Sequence, residues 1–138
     1  MRTALLLGPL LLLPACAGTP RESDVAVPSA DARTELVVSF RADPKVAPSV
    51  TTLRCDPPDG EHPDPTKACA DLAAELDPFH SVSADSLCTE IFGGPQTATV
   101  RGTYRGRDVV LDLSRTDGCT TAQWDRLGAL LPPVIGAS

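Results

Sequence analysis

The chain has 138 residues, enough for one core of about 100 residues and too few for two independent ones. Its formal charge of −6, from 12 basic and 18 acidic side chains, sets its own field against a phosphate backbone and excludes nucleic acid as an expected partner. The 14 prolines stand against only three Phe, one Trp and one Tyr, so stiff loops need holding by something other than aromatic packing, and the five cysteines are the first candidates.

Taken in chain order, Arg2 leads the apolar run ALLLGPLLLLPA over residues 4–15, broken by Gly8, Pro9 and Pro14. That is short of the roughly 20 apolar residues of a membrane-spanning helix and reads as an export signal over residues 1–15. The stretch Leu13-Pro14-Ala15-Cys16 resembles a bacterial lipobox, which implies cleavage before Cys16 and its lipidation. Ala15-Cys16-Ala17 also fits an ordinary signal peptidase, which would cut after Ala17 and release a soluble protein. Both routes lead outside the cytoplasm: to the outer face of the cell membrane as a lipoprotein, held there by the lipid anchor alone, or to secretion. Loss of residues 1–15 removes only Arg2 among charged groups and leaves 11 basic against 18 acidic side chains, or −7. Residues 16–33 then comprise Cys16 and a flexible linker of Pro, Ser, Ala and charged residues without apolar periodicity, with an r.m.s. span of about 20 Å. Residues 34–138 are read as the folded domain.

In TELVVSFR, residues 34–41, Leu36, Val38 and Phe40 alternate with Glu35, Ser39 and Arg41, the period of a half-buried strand. Val50 to Cys55 is a shorter second strand. DPPDGEHPD, residues 56–64, is too rich in Pro and Gly for regular structure, after which Asp64-Pro65 supplies an N-cap and a first-turn proline. The helix that follows carries Ala68, Cys69, Leu72, Ala73 and Leu76 at helical spacing and ends at Asp77-Pro78. Ala98, Val100, Gly102 and Tyr104, then Val109, Leu111 and Leu113, alternate around Arg105-Gly106, which predicts a hairpin with positive φ in its turn. Thr120 or Thr121 can cap a last helix bearing Trp124, Leu127, Leu130 and Leu131. The fold class is α+β, an antiparallel sheet with two helices laid on it.

With Cys16 assigned to lipidation, Cys55, Cys69, Cys88 and Cys119 are an even set in an exported chain, which points to two disulfides. Three connectivities are open, and the sequential one closes the shortest loops. No C-x-x-C or H-x-x-x-H pair accompanies them, which argues against zinc, and the acidic loop residues Asp56, Asp59, Glu61 and Asp64 lack the ligand spacing of an EF-hand. Neither a metal nor a cofactor is expected. His62 and His80 lie in no catalytic motif, and both read as solvated loop histidines. The chain is therefore not read as an enzyme.

Cys88-Thr89-Glu90-Ile91-Phe92-Gly93-Gly94-Pro95 lies between a cysteine and the hairpin without alternating core positions, and reads as an exposed loop stapled at one end. In combination with LRCDPPDGEHPDPTKACADLAA and GPQTATVRGTYRGRDVVLDLSRTDGC, it resembles the subtilisin inhibitor-like family of actinobacterial secreted serine protease inhibitors, over about residues 34 to 127. The resemblance implies a sheet of about five strands with two helices, disulfides Cys55–Cys69 and Cys88–Cys119, and a homodimer formed by sheet faces. It also implies an inhibitor of an extracellular serine protease of subtilisin-like or chymotrypsin-like class, acting through a substrate-like loop of Cys88, Thr89, Glu90, Ile91 and Phe92. Counting forward from Cys88 places Glu90 at the primary specificity position and the scissile bond at Glu90–Ile91. The loop is one residue longer than the family pattern, and an extra residue before the scissile bond would make Ile91 the specificity residue instead. The alternative is a surface lipoprotein that keeps the scaffold as a binding module without protease inhibition.

Overall fold

Alternating apolar residues build the sheet from the middle outwards. In the computed structural model, which describes residues 33–134, the strands are β1 (Thr34–Arg41), β2 (Ser49–Cys55), β3 (Thr97–Tyr104) and β4 (Arg107–Leu113). All neighbours are antiparallel, in the order β2-β1-β3-β4, with Val38 opposite Thr51 on one side and Val100 on the other. Leu36, Val38, Leu53, Ala98, Val100, Tyr104, Val109, Leu111 and Leu113 are buried on one face, as the period-2 pattern requires. The β3–β4 turn is Arg105-Gly106, with φ of 48° and 78°, the mirror-image geometry that matches strand twist.

The sheet has four strands where about five were expected. Glu75–Gln96 contributes none of them; two of its backbone bonds run instead to Arg115 and Gly118, outside the ladder.

Two helices cover the buried face. Helix α1 (Pro65–Ala74) starts where Asp64 accepts the Lys67 N–H at 2.9 Å, with Pro65 in the first turn. It stops two residues short of Leu76, which is fully exposed and no core residue. Pro78 restricts the backbone before it, and Tyr104 Oη donates to the Leu72 carbonyl at 2.9 Å, satisfying one last-turn acceptor. Burial pushes the Tyr104 phenol up from its usual range, and the ring meets Phe79 edge-on at 5.1 Å.

Helix α2 (Gly118–Arg126) is capped by Asp117 rather than Thr120 or Thr121: Asp117 Oδ1 accepts the Thr120 N–H and Thr120 Oγ1 accepts the Asp117 N–H. A carboxylate held β-extended before Gly118 closes this reciprocal pair, and it carries a charge suited to a helix start. Beyond α2 a 3-10 turn (Gly128–Leu130) brings Leu127, Leu130 and Leu131 into the core, while Trp124 packs on Phe40 at 6.1 Å between ring centroids.

His62, expected in solvent, is buried. Its Nε2 donates to the Leu130 carbonyl at 3.2 Å and its Nδ1 accepts the Asp64 N–H at 3.1 Å. The proline loop thus ties the start of α1 to the C-terminal turn. His80 stays exposed.

Asp71 makes a second tie between α1 and that turn, its Oδ2 accepting the Ala129 N–H and a Lys67 ammonium bond, both at 2.8 Å. Lys67 first, then the Ala129 amide, hold its carboxyl below the usual carboxylate range. A depressed folded-state pKa stabilises the fold above the unfolded value near 3.9, and the contribution is lost as pH falls through the folded value. Asp71→Asn is therefore expected to lower stability by about 1 to 2 kcal/mol at pH 7. The gap from wild type should close below about pH 4, as read by denaturant melts at pH 7 and pH 2.5. An equal gap at both pH values would show that the loss is packing and not charge.

Among the described residues no helix is long and apolar enough to cross a membrane. The export signal of residues 1–15, the lipidation site Cys16 and nearly all of the linker lie outside the described residues.

Candidate functional site

The two disulfides are Cys55–Cys69, joining β2 to α1, and Cys88–Cys119, joining the irregular segment to the first turn of α2. The second one starts the candidate loop. One residue on, the Thr89 carbonyl accepts the Gly118 N–H at 2.9 Å. Gly118 is the first residue of α2, where amide donors have no partner inside the helix, so the helix start itself holds the loop. The approach is close enough that a Cβ on Gly118 would run into Thr89 Oγ1.

The far side of the loop is held at Gly93. Its N–H donates to the Arg115 carbonyl at 2.7 Å and its carbonyl accepts from Arg115 Nε at 3.2 Å. Arg115 is only 5% exposed, with its guanidinium 5.8 Å from the Trp124 ring centroid and 3.9 Å from the Asp125 carboxylate. A Cβ on Gly93 would stand 2.6 Å from Thr121 Oγ1 and 3.2 Å from Arg115 Nε. Read as sequence, Gly93-Gly94 suggests slack; in the fold Gly93 is glycine because the chain lies flat against Arg115 and Thr121.

Between the two attachments stand Glu90, Ile91 and Phe92. Glu90 is exposed, and Ile91 and Phe92 are 67% and 65% exposed. Glu90 has no hydrogen-bond partner among the described residues. Two large apolar side chains held in water beside a free carboxylate serve no core, and they are what an extended segment offers to a cleft. The structure thus brings the five sequence-predicted loop residues together as one anchored, outward segment. Sequence reasoning missed Arg115, Gly118 and Thr121, which form the wall behind it. The signal available was the order Arg115, Gly118, Cys119, Thr121 around the staple cysteine.

Both His62 ring nitrogens are engaged, and His80 sits 3.9 Å from Asp77 with both side chains in solvent. Cys88, Asp117 and Cys119 lie close together, but the two sulfurs are bonded to each other and offer no thiolate to a metal. An apolar cavity of about 670 Å³, lined by Phe40, His62, Leu131 and Pro132 among others, includes none of the loop residues.

The chain is similar to known proteins. A curated probable subtilase-type protease inhibitor from Streptomyces avermitilis is 35% identical over 71 residues, which are 49% of this chain and 49% of that protein, so the match spans about half the length of each. The crystal structure of Streptomyces caespitosus sermetstatin in complex with Bacillus licheniformis subtilisin is similar at 24% identity and a TM-score of 0.43, over 69% of this chain and 96% of that one. A family model described as subtilisin inhibitor-like matches residues 31–116, a stretch that contains the loop, its Gly93–Arg115 attachment, the whole sheet and α1, and that stops short of Gly118 and Cys119. With more than half of its length matched, the chain belongs to the subtilisin inhibitor-like family, a family of protease inhibitors and not of enzymes.

Proposed function

We propose that the chain inhibits an extracellular serine endopeptidase of subtilisin-like or chymotrypsin-like class, with Cys88–Phe92 bound in the protease cleft as a substrate would be. The observation that carries this reading is the double attachment: Glu90, Ile91 and Phe92 project between Cys88–Cys119 with Thr89–Gly118 on one side and Gly93–Arg115 on the other. A segment already held in one shape loses little freedom on binding, which turns contact into affinity. The protease serine adds to the Glu90 carbonyl carbon, the Glu90–Ile91 bond breaks, and the Ile91 nitrogen leaves as an amine carrying the transferred proton. Because that amine stays attached to the scaffold, it can attack the acyl ester, reform the peptide bond and return the serine its proton before water intervenes.

Orientation suits an anchored inhibitor. The Arg33 carbonyl accepts the Gly106 N–H at the β3–β4 turn, whereas Gly93 and Arg115 lie beyond the other ends of those strands. An eight-residue strand is about 25 Å long, so a tether through Cys16 would join the fold at the end remote from the loop and leave the loop free to meet a protease.

The test is a panel of inhibition constants for the expressed full chain against subtilisin, trypsin, chymotrypsin and a glutamate-specific serine endopeptidase. Tight, reversible inhibition of the glutamate-specific enzyme is the expected result. Inhibition confined to subtilisin or chymotrypsin would move the specificity position to Ile91, and four unhindered enzymes would overturn the reading.

A further inference from the structure

We propose that Arg115 is a positioning residue for religation: through Gly93 it keeps the Ile91 amine opposite the acyl carbon after the Glu90–Ile91 bond is cut. The inference rests on the functional reading above and adds a residue outside the loop to it. In the cut state the acyl side remains held by the Cys88–Cys119 disulfide, a covalent tie. The leaving side has no covalent tie of its own nearby. Its first attachment is Gly93, gripped by the Arg115 carbonyl at 2.7 Å and by Nε at 3.2 Å.

Arg115 is built to hold that position. It is buried at 5% exposure, its guanidinium lies over Trp124, and Asp125 stands 3.9 Å from Nη1. Its partner surface is equally confined, since Thr121 Oγ1 is buried without a hydrogen-bond partner and leaves room only for glycine at position 93. A cation buried on an aromatic face with its Nε aimed at a loop carbonyl does more than fill space, because an apolar side chain would fill the same volume without orienting Gly93.

The size of the effect follows from chain length. With Gly93 held, only Ile91 and Phe92 are free between the new amine and the scaffold. With Gly93 released, the free segment runs from Ile91 to Gln96, up to the start of β3. Effective concentration falls roughly as the −3/2 power of tether length, so lengthening from two residues to six lowers religation about fivefold.

The experiment incubates the expressed full chain with a catalytic amount of a glutamate-specific serine endopeptidase and measures the ratio of cleaved to intact chain at equilibrium, approached from both sides. Arg115→Met, which removes the Nε bond and leaves the Gly93 N–H on the backbone carbonyl of position 115, is expected to raise that ratio by up to about fivefold, with far-UV circular dichroism reporting a native fold. Gly93→Ala, which pushes the loop off the same wall, should shift the ratio in the same direction without touching Arg115. Adding Thr121→Ala to Gly93→Ala, which removes the 2.6 Å collision, should move it back. A purely structural role would lower the melting temperature of Arg115→Met and leave the ratio at the wild-type value; that result overturns the proposal while leaving the inhibitor reading intact. If the wild-type bond Glu90–Ile91 is not cut, or is cut to completion without an equilibrium, the inhibitor reading and the role of Arg115 fall together.

Discussion

Glu90→Met is expected to tighten inhibition of subtilisin by about a hundredfold to a thousandfold over the wild-type chain. Glu90 is exposed, so its carboxylate is hydrated in the free protein. Seating it unpaired in an apolar specificity pocket costs several kcal/mol, and at 1.4 kcal/mol per tenfold, a penalty of about 3 to 4 kcal/mol gives that range. Methionine removes the penalty and fills the pocket. Glu90→Lys should do the same for trypsin, whose acidic pocket repels glutamate and pairs with an ammonium. Neither change removes a hydrogen bond or ion pair of the scaffold, because the exposed Glu90 side chain makes none among the described residues. Inhibition constants from progress curves with active-site-titrated enzymes decide the matter. If neither substitution improves inhibition while Ile91→Met does, the extra residue of the loop lies before the scissile bond. If none of the three does, the loop assignment is wrong.

The sheet was legible because its code is local. Leu36, Val38 and Phe40, and the Arg105-Gly106 turn, state their pairing within a few residues; Asp64-Pro65 announces the first helix, and helical spacing announces the second although its cap is Asp117 and not Thr120 or Thr121. What escaped depends on contacts far apart in the chain. His62 reads as a loop histidine until Leu130, 68 residues later, supplies a carbonyl to its Nε2. Leu76 continues the helical stripe in sequence, yet Asp77-Pro78 unwinds the backbone before it and leaves it in water. The candidate loop comes from counting forward from Cys88, but its wall does not, because Arg115 looks like any surface cation two residues beyond a strand. Only the fold lays Gly93 across it. Nothing in the period of the sequence marks a residue whose partner is a glycine 22 positions earlier.

The Cys88–Cys119 disulfide is the stronger of the loop's two ties, and replacing both cysteines by serine is expected to convert the chain from inhibitor to substrate. Its acyl side is then held only by the Thr89–Gly118 hydrogen bond and, further back, by Gln123 Nε2 donating to the His80 carbonyl at 2.8 Å. Where that hydrogen bond opens as well, free chain between scaffold and acyl carbon grows from two residues to about ten, which lowers religation by up to about tenfold by the same tether scaling. Opening a 31-residue loop also removes about 3 to 4 kcal/mol of stability, worth about 15–25 °C in melting temperature, so the measurement belongs well below the transition. The control is the other disulfide. Replacing Cys55 and Cys69 by serine opens a 14-residue loop and costs about 3 kcal/mol, nearly the same stability, but touches neither side of the scissile bond. Its cleaved-to-intact ratio should stay at the wild-type value. Combining the Cys88/Cys119 replacement with Arg115→Met should raise the ratio above that of either change alone, by up to about fiftyfold, because the ties act on opposite sides of one bond. Equal shifts from both disulfide variants would mean that general loosening sets the fate of the cut loop, and the division of labour between Cys88 and Arg115 would be lost.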